Sequence, residues 1–307
     1  MRDIILTTRN LKKSYKHNLV LDDINMEIKQ GEIYGLVGKN GAGKTTLLRL
    51  ITGQAFSSAG EISLFGATNE NEMSKARKRI GAIIETPSFY PKLNARQNLE
   101  YYRIQRGIPG KQCVEDALEE VGLADVGNKK FQSFSLGMKQ RLGLALALMN
   151  KPEILFLDEP INGLDPFGIV EIRNLLLKLS HEKNITILIS SHILTELTNL
   201  VTYYGFIHEG KMVKQLSSEE LAQECNKYLE LKVDKVETMT ALLESKLGCK
   251  NYKVTPERTI QLYEYLDHPS LISKLAVNSD IALNEISVKD INLEKYFIQL
   301  VGGNNHE

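Results

Sequence analysis

Cysteine is scarce in this chain: three residues in 307, Cys113, Cys225 and Cys249, with no CxxC pair. An odd, scattered set excludes a disulfide framework and a cysteine zinc site, and predicts ordinary thiols in a reducing compartment. Net charge is also missing. Lys plus Arg equals Asp plus Glu at 38 each, which argues against a general nucleic-acid coat or an extended polybasic membrane anchor. Long apolar runs are absent: the longest candidate, "LGLALALM" at 142–149, falls far short of the roughly 18 residues that a membrane span begins with. The start, "MRDIILTTRNLKKSY", lacks the apolar core of a secretory signal. The expectation is a soluble chain whose membrane role, if any, is supplied by a partner.

What is present is an ordinary globular composition, 42% apolar, in a chain longer than one typical domain, so two domains are expected. Up to about residue 215, short β-branched runs alternate with helical stretches. "EIYGLVG" (32–38), "IGAIIE" (80–85), "EILFLDE" (153–159) and "ITILISS" (185–191) are almost wholly apolar, as parallel strands covered on both faces should be. The segments between them carry helical spacing, and a β/α alternation predicts a mainly parallel sheet flanked by helices. From about 216 to 307 the pattern changes. "YLELKVD", "NYKVT", "TIQLYEY" and "ALNEISV" read as strands, with helices near 236–246, 269–276 and 292–300. That order suits a small α+β domain of split βαβ type with a last helix. The tail "GGNNHE" is expected to fray.

"GLVGKNGAGKTT" carries the chemistry. Gly38, Gly41, Gly43, Lys44 and Thr45 complete G-x-x-x-x-G-K-[ST], between an apolar strand and a helix, which is the context that motif requires. Backbone N–H groups of the loop, Asn40 and Thr46 included, can curl around phosphate oxygens at the positive end of a helix. Lys44 is expected to reach the β and γ phosphates of ATP and Thr45 to offer a hydroxyl to Mg²⁺. A second buried strand ends in "ILFLDEP". There Asp158 is expected to hold Mg²⁺ and Glu159 to polarise an attacking water.

With these two motifs in place, the sequence resembles the ATP-binding subunit of ABC transporters. Three further segments carry the likeness, which covers about residues 4–215. "FSLGMKQRLGLALAL" (134–148) looks like the family signature through Ser135, Leu136, Gly137 and Met138, with the usual second glycine and glutamine replaced. "NGLDP" (162–166) looks like the D-loop, with Asp165, and "ISSHI" (189–193) like the switch segment, with His192. Tyr15 takes the place of the aromatic that stacks on adenine. The resemblance implies a P-loop ABC cassette: a mainly parallel core, an antiparallel β part, and a helical subdomain at about 86–150. It also implies a head-to-tail dimer in which Ser135 and Gly137 of one subunit close on ATP held by the other, with Glu159, His192 and Lys44 as the catalytic set.

Glu85 departs from the family pattern. The strand after the P-loop helix ends in glutamine in most members, whereas "AIIETPSFY" has a carboxylate, acceptor-only and charged. It keeps metal ligation possible, so Thr45, Glu85 and Asp158 form the expected Mg²⁺ set. "ETPSFYP" with "SFSLGMKQRLGLA" also resembles one branch, the ATPase subunits of bacitracin-resistance and lantibiotic-immunity transporters. That branch implies export of antimicrobial peptides with a separately encoded permease, at the cytoplasmic face of the membrane, with no nucleic acid. Other classes remain open: an exporter of another drug, lipid or ion, a soluble ABC protein on ribosomes or DNA, and a non-hydrolysing regulatory subunit. Phe89, Tyr90, Tyr101 and Tyr102 are expected either to form an exposed groove for a short coupling helix of the permease or to belong to the core. Partner surfaces favour aromatics.

Overall fold

A computed structural model of the protein describes residues 3–16, 18–85, 88–225, 227–289 and 293–302. The expected fraying of 303–307 and the segment 86–87 therefore lie outside the described residues. The chain divides into two compact units, Met1–Ser218 and Glu219–Glu307.

The first unit opens with two long strands, β1 (Ile4–Tyr15) and β2 (Asn18–Lys29), which pair antiparallel. β2 alternates inward apolar residues with outward polar ones, the mark of a sheet with one covered face, whereas β1 buries Ile5, Leu6 and Leu11 and its register is broken by bulges. β3 (Ile33–Val37) is buried along its whole length and runs into the P-loop and helix α1 (Lys44–Ile51). β4 (Ala59–Leu64) returns to pair with β1, giving a three-stranded sheet in the order β2-β1-β4. Next come α2 (Glu70–Ala76), capped by Asn69, and β5 (Ile80–Ile83).

The helical part follows with α3 (Ala95–Gln105), α4 (Gln112–Glu120) and α5 (Leu136–Leu148). Asn94 and Gln97 form a reciprocal capping box that starts α3, satisfying two N–H groups that would otherwise lack partners. α5 is apolar on nearly all sides after its first turn, and residues 142–148 are buried, as an interior helix should be.

β6 (Ile154–Asp158), α6 (Pro166–Lys183), β7 (Thr186–Ser191), a short α7 (Leu194–Leu197), β8 (Tyr203–His208) and β9 (Lys211–Ser217) complete this unit. The six-stranded sheet has the order β5-β6-β7-β3-β8-β9; all pairs are parallel except β8–β9. β6, β7 and β3 sit at its centre, so Asp158 and Ser191 emerge at the same edge as the P-loop. Ligands of open α/β sheets bind outside the carboxyl ends of the strands.

The second unit holds α8 (Ser218–Glu224, which begins at the boundary), β10 (Tyr228–Val233), α9 (Val236–Leu247), β11 (Tyr252–Val254), β12 (Thr259–Leu262), α10 (Pro269–Asn278), β13 (Leu283–Lys289) and α11 (Leu293–Gly302). Its sheet order, β11-β12-β10-β13, is antiparallel throughout, the split βαβ arrangement. Leu229, Leu231, Ile260 and Leu262 of the sheet pack with Met239 and Leu243 of α9 and Ile272 and Ala276 of α10.

Candidate active site

α1 begins without a side-chain cap. Gly43, at φ +107°, holds the N-cap position, leaving first-turn N–H groups for an anion. Gly38 is forced by space: a Cβ there would lie 2.5 Å from the Ile207 carbonyl oxygen. A cleft of about 270 Å³ opens above this turn, lined by Val20, Asn40, Gly41, Gly43, Lys44, Thr45, Thr46 and Glu159. A larger cleft of about 680 Å³ lies between α4, the end of α5 and the end of α6 and contains none of the motif residues.

Lys44 is 5% exposed, and its Nζ donates to the carbonyls of Gly38 (2.7 Å) and Lys39 (3.3 Å). Its third contact is Glu159 Oε1 at 3.2 Å. Glu159 Oε2 meets His192 Nδ1 at 2.9 Å and accepts from Asn162 Nδ2 at 3.1 Å. A cation, a carboxylate and an imidazole from three separate segments thus meet at one point. The Thr45 hydroxyl donates to Asp158 Oδ2 at 2.6 Å, bringing the first helical turn of the P-loop against the end of β6.

The turn at Glu159 is unusual. Its φ is +48°, left-handed for a residue with a side chain, which costs on the order of 1–3 kcal/mol. The bend aims the carboxylate back over the P-loop instead of along the strand. Its N–H is shared between the Ser190 carbonyl (3.2 Å) and the Ser190 hydroxyl (3.0 Å).

Glu85 does not join the Thr45–Asp158 pair. It too has a positive φ, +64°, and its carboxylate is ion-paired with Arg49, one helical turn beyond Thr45 on α1. Tyr15 ends β1 half exposed, with the Lys13 ammonium over its ring, 4.6 Å from the centre; it does not line the P-loop cleft. Ser135 caps α5, accepting from Met138 N at 3.3 Å. A Cβ on Gly137 would meet only Leu164, at 3.9 Å, so the start of α5 lies against the loop ending in Asp165. Asp165 in turn caps α6 through Gly168 N at 2.8 Å. None of these three contacts involves the Lys44–Glu159–His192 cluster.

The aromatic set divides, and Phe89 takes the core alternative. It is 6% exposed and packs on Phe131 and Tyr102, ring centres 5.1 and 5.7 Å away; contact with a residue 42 positions on in the chain draws it inside. Tyr90 and Tyr101 are exposed and meet edge to face at 4.7 Å, and the Tyr101 hydrogen bond raises the Tyr90 phenol pKa. Tyr102 is half buried. Three participants gave no advance signal in the sequence: Ser190, Asn162 and Arg49. Ser190 and Asn162 lie inside quoted motifs, but their partners are set by strand register and a tight turn.

Comparison with known proteins gives the family. Residues 21–162 fit the ABC transporter family model. The bacitracin transport ATP-binding protein BcrA of Bacillus licheniformis is 42% identical over 97% of this chain and 98% of its own length. The lantibiotic transport ATP-binding protein SrtF of Streptococcus pyogenes is 42% identical over 68% of this chain and 89% of its own. Among solved structures, the dimeric post-hydrolysis state of the ATP-binding cassette MJ0796 bound to ADP and Pi superposes with a TM-score of 0.62. It is 25% identical, over 69% of this chain and 98% of that one. The chain belongs to the ATP-binding subunits of ABC transporters.

Proposed function

We propose that this chain is the Mg²⁺-dependent ATP-hydrolysing motor of a peptide-antibiotic exporter, working at the cytoplasmic face of the membrane with a separately encoded permease. The supporting observation is the meeting of Lys44, Glu159 and His192 over an uncapped helix start. The terminal phosphate of ATP takes over the Lys44 ammonium, releasing Glu159. The freed carboxylate accepts a proton as water oxygen attacks the terminal phosphorus. The bond to the bridging oxygen breaks, and ADP leaves with that electron pair. His192, beside the same carboxylate, holds the terminal phosphate.

Thr45 and Asp158 suit Mg²⁺, which takes one or two protein oxygens and completes its shell with water and phosphate. Bound there, the ion would neutralise phosphate charge. Glu85, engaged by Arg49, is the switchable member of that set. Ser135 and Gly137, at a helix N-terminus with open space around the glycine, serve the ATP of a second copy, and Tyr15 stacks on the adenine. Residues 1–215 form the cassette and 216–307 an accessory domain. Exposed Tyr90 and Tyr101 offer aromatic surface to the permease. The peptide cargo rests on the nearly full-length likeness to a bacitracin transport protein; the balanced charge argues against a general nucleic-acid coat.

Phosphate release by the purified chain tests the reading. Turnover that needs Mg²⁺ and disappears in Lys44→Ala is expected. Release from wild type no faster than from Lys44→Ala would make this a non-hydrolysing subunit.

A further inference from the structure

Asp158 and Glu159 are consecutive residues with different tasks, so something must hold one along the strand while the next turns back over the P-loop. Ser190 does both. It is fully buried on β7, directly opposite Asp158 in the parallel register. Its hydroxyl donates to Asp158 Oδ1 at 2.6 Å and accepts from Glu159 N at 3.0 Å. Its single proton goes to Asp158 and its lone pair to the peptide of Glu159, so the hydroxyl's hydrogen-bonding capacity is well used.

With Thr45 bonded to Oδ2, Asp158 is held from both sides by hydroxyls of two different elements. A fully buried serine with no such duty would be an unfavourable choice in a central strand, where the preceding Ile187, Leu188 and Ile189 are apolar and buried and the following Ser191 has its own partners at Ile193 and Glu196. The left-handed turn at Glu159 carries a conformational cost, and the Ser190 carbonyl alone secures it with a longer contact of 3.2 Å.

We propose that Ser190 is a positioning residue for ATP hydrolysis: its hydroxyl fixes the Asp158 carboxylate and the bend that delivers Glu159 to Lys44. The proposal rests on the roles given above to Asp158 and Glu159. It makes Ser190 act on the chemical step while leaving the P-loop, which carries most phosphate contacts, in place.

Ser190→Ala, Ser190→Thr and Ser190→Cys separate the possibilities, with Glu159→Gln measured alongside. Ser190→Ala is expected to lower kcat about 10- to 100-fold, the range that loss of a hydrogen bond to a charged group produces. The dissociation constant for ATP measured without Mg²⁺ should move by no more than about fivefold, because the P-loop contacts do not run through Ser190 and the most its loss can do there is free Lys44 from Glu159. Ser190→Thr keeps the hydroxyl and should recover kcat to within about threefold of wild type, whereas Ser190→Cys, a weak donor, should stay low. Should the alanine variant fail to fold, the threonine and cysteine variants alone decide the matter. Equal kcat in those two, or wild-type kcat in a folded Ser190→Ala, overturns the assignment. If Glu159→Gln turns over normally, the underlying base assignment fails instead; if Glu159→Gln is impaired and Ser190→Ala is not, only the Ser190 proposal fails.

Discussion

Replacing Glu159 by glutamine removes one negative charge and keeps the side chain's shape, so its effect reports on that charge. Two consequences compete. The general base is lost, and such groups contribute roughly 10²–10⁴-fold, about 3–5 kcal/mol at 1.36 kcal/mol per decade. The anion facing Lys44 at 3.2 Å is lost too. A buried charge-assisted contact is worth about 1.5–3 kcal/mol. With Glu159 at 22% exposure, solvent screening brings this nearer to about 1 kcal/mol. ATP no longer has to displace it, so binding tightens about fivefold. Steady-state phosphate release and titration with a fluorescent ATP analogue measure the two separately. Light scattering should also show a trapped dimer at saturating ATP. Turnover within about twofold of wild type would remove Glu159 from the base role. Weaker ATP binding would show that Lys44 does not exchange one anion for another.

Other perturbations probe separate links. Gly38→Ala places a Cβ 2.5 Å from a backbone oxygen, so the P-loop must shift; ATP affinity should fall at least about tenfold, with some 1–3 kcal/mol of stability lost by overpacking, readable by nucleotide titration and thermal melting. Phe89→Ala empties a buried aromatic position and should cost about 3–5 kcal/mol in urea unfolding; a loss under about 1 kcal/mol would return Phe89 to the surface. Glu85→Gln breaks an exposed pair with Arg49, so stability should change by no more than about 0–1 kcal/mol and basal hydrolysis should persist. The effect should appear in permease-stimulated hydrolysis, and abolished ATP binding would refute the switch role.

The parts of the fold visible in the sequence were those dictated by short-range rules. "EIYGLVGKNGAGKTT" announces strand, turn and helix together, and the apolar runs ending at Asp158 and Ser191 could only be covered parallel strands. The charged second half of β1 is legible only through the family resemblance, because "NLKKSYK" carries no apolar run of its own. Whether Phe89 is surface or core is not legible locally, because its partner Phe131 is distant in the chain. Ser190 was silent for a related reason: inside "ISSHI" it reads as a strand serine, and only the pairing of β6 with β7 sets it opposite Asp158. Glu85 was recognised as unusual, but its tie to Arg49 depends on where the loop after β5 meets the face of α1.

Growth of the host against a panel of peptide antibiotics, wild type beside a chromosomal Glu159→Gln variant, decides whether this ATPase powers peptide export. Selective sensitisation to bacitracin-like or lanthionine-containing peptides is expected, with other inhibitors unaffected. An identical profile for the two strains across those peptides would contradict it, leaving an ABC ATPase whose cargo is a lipid, another drug or an ion.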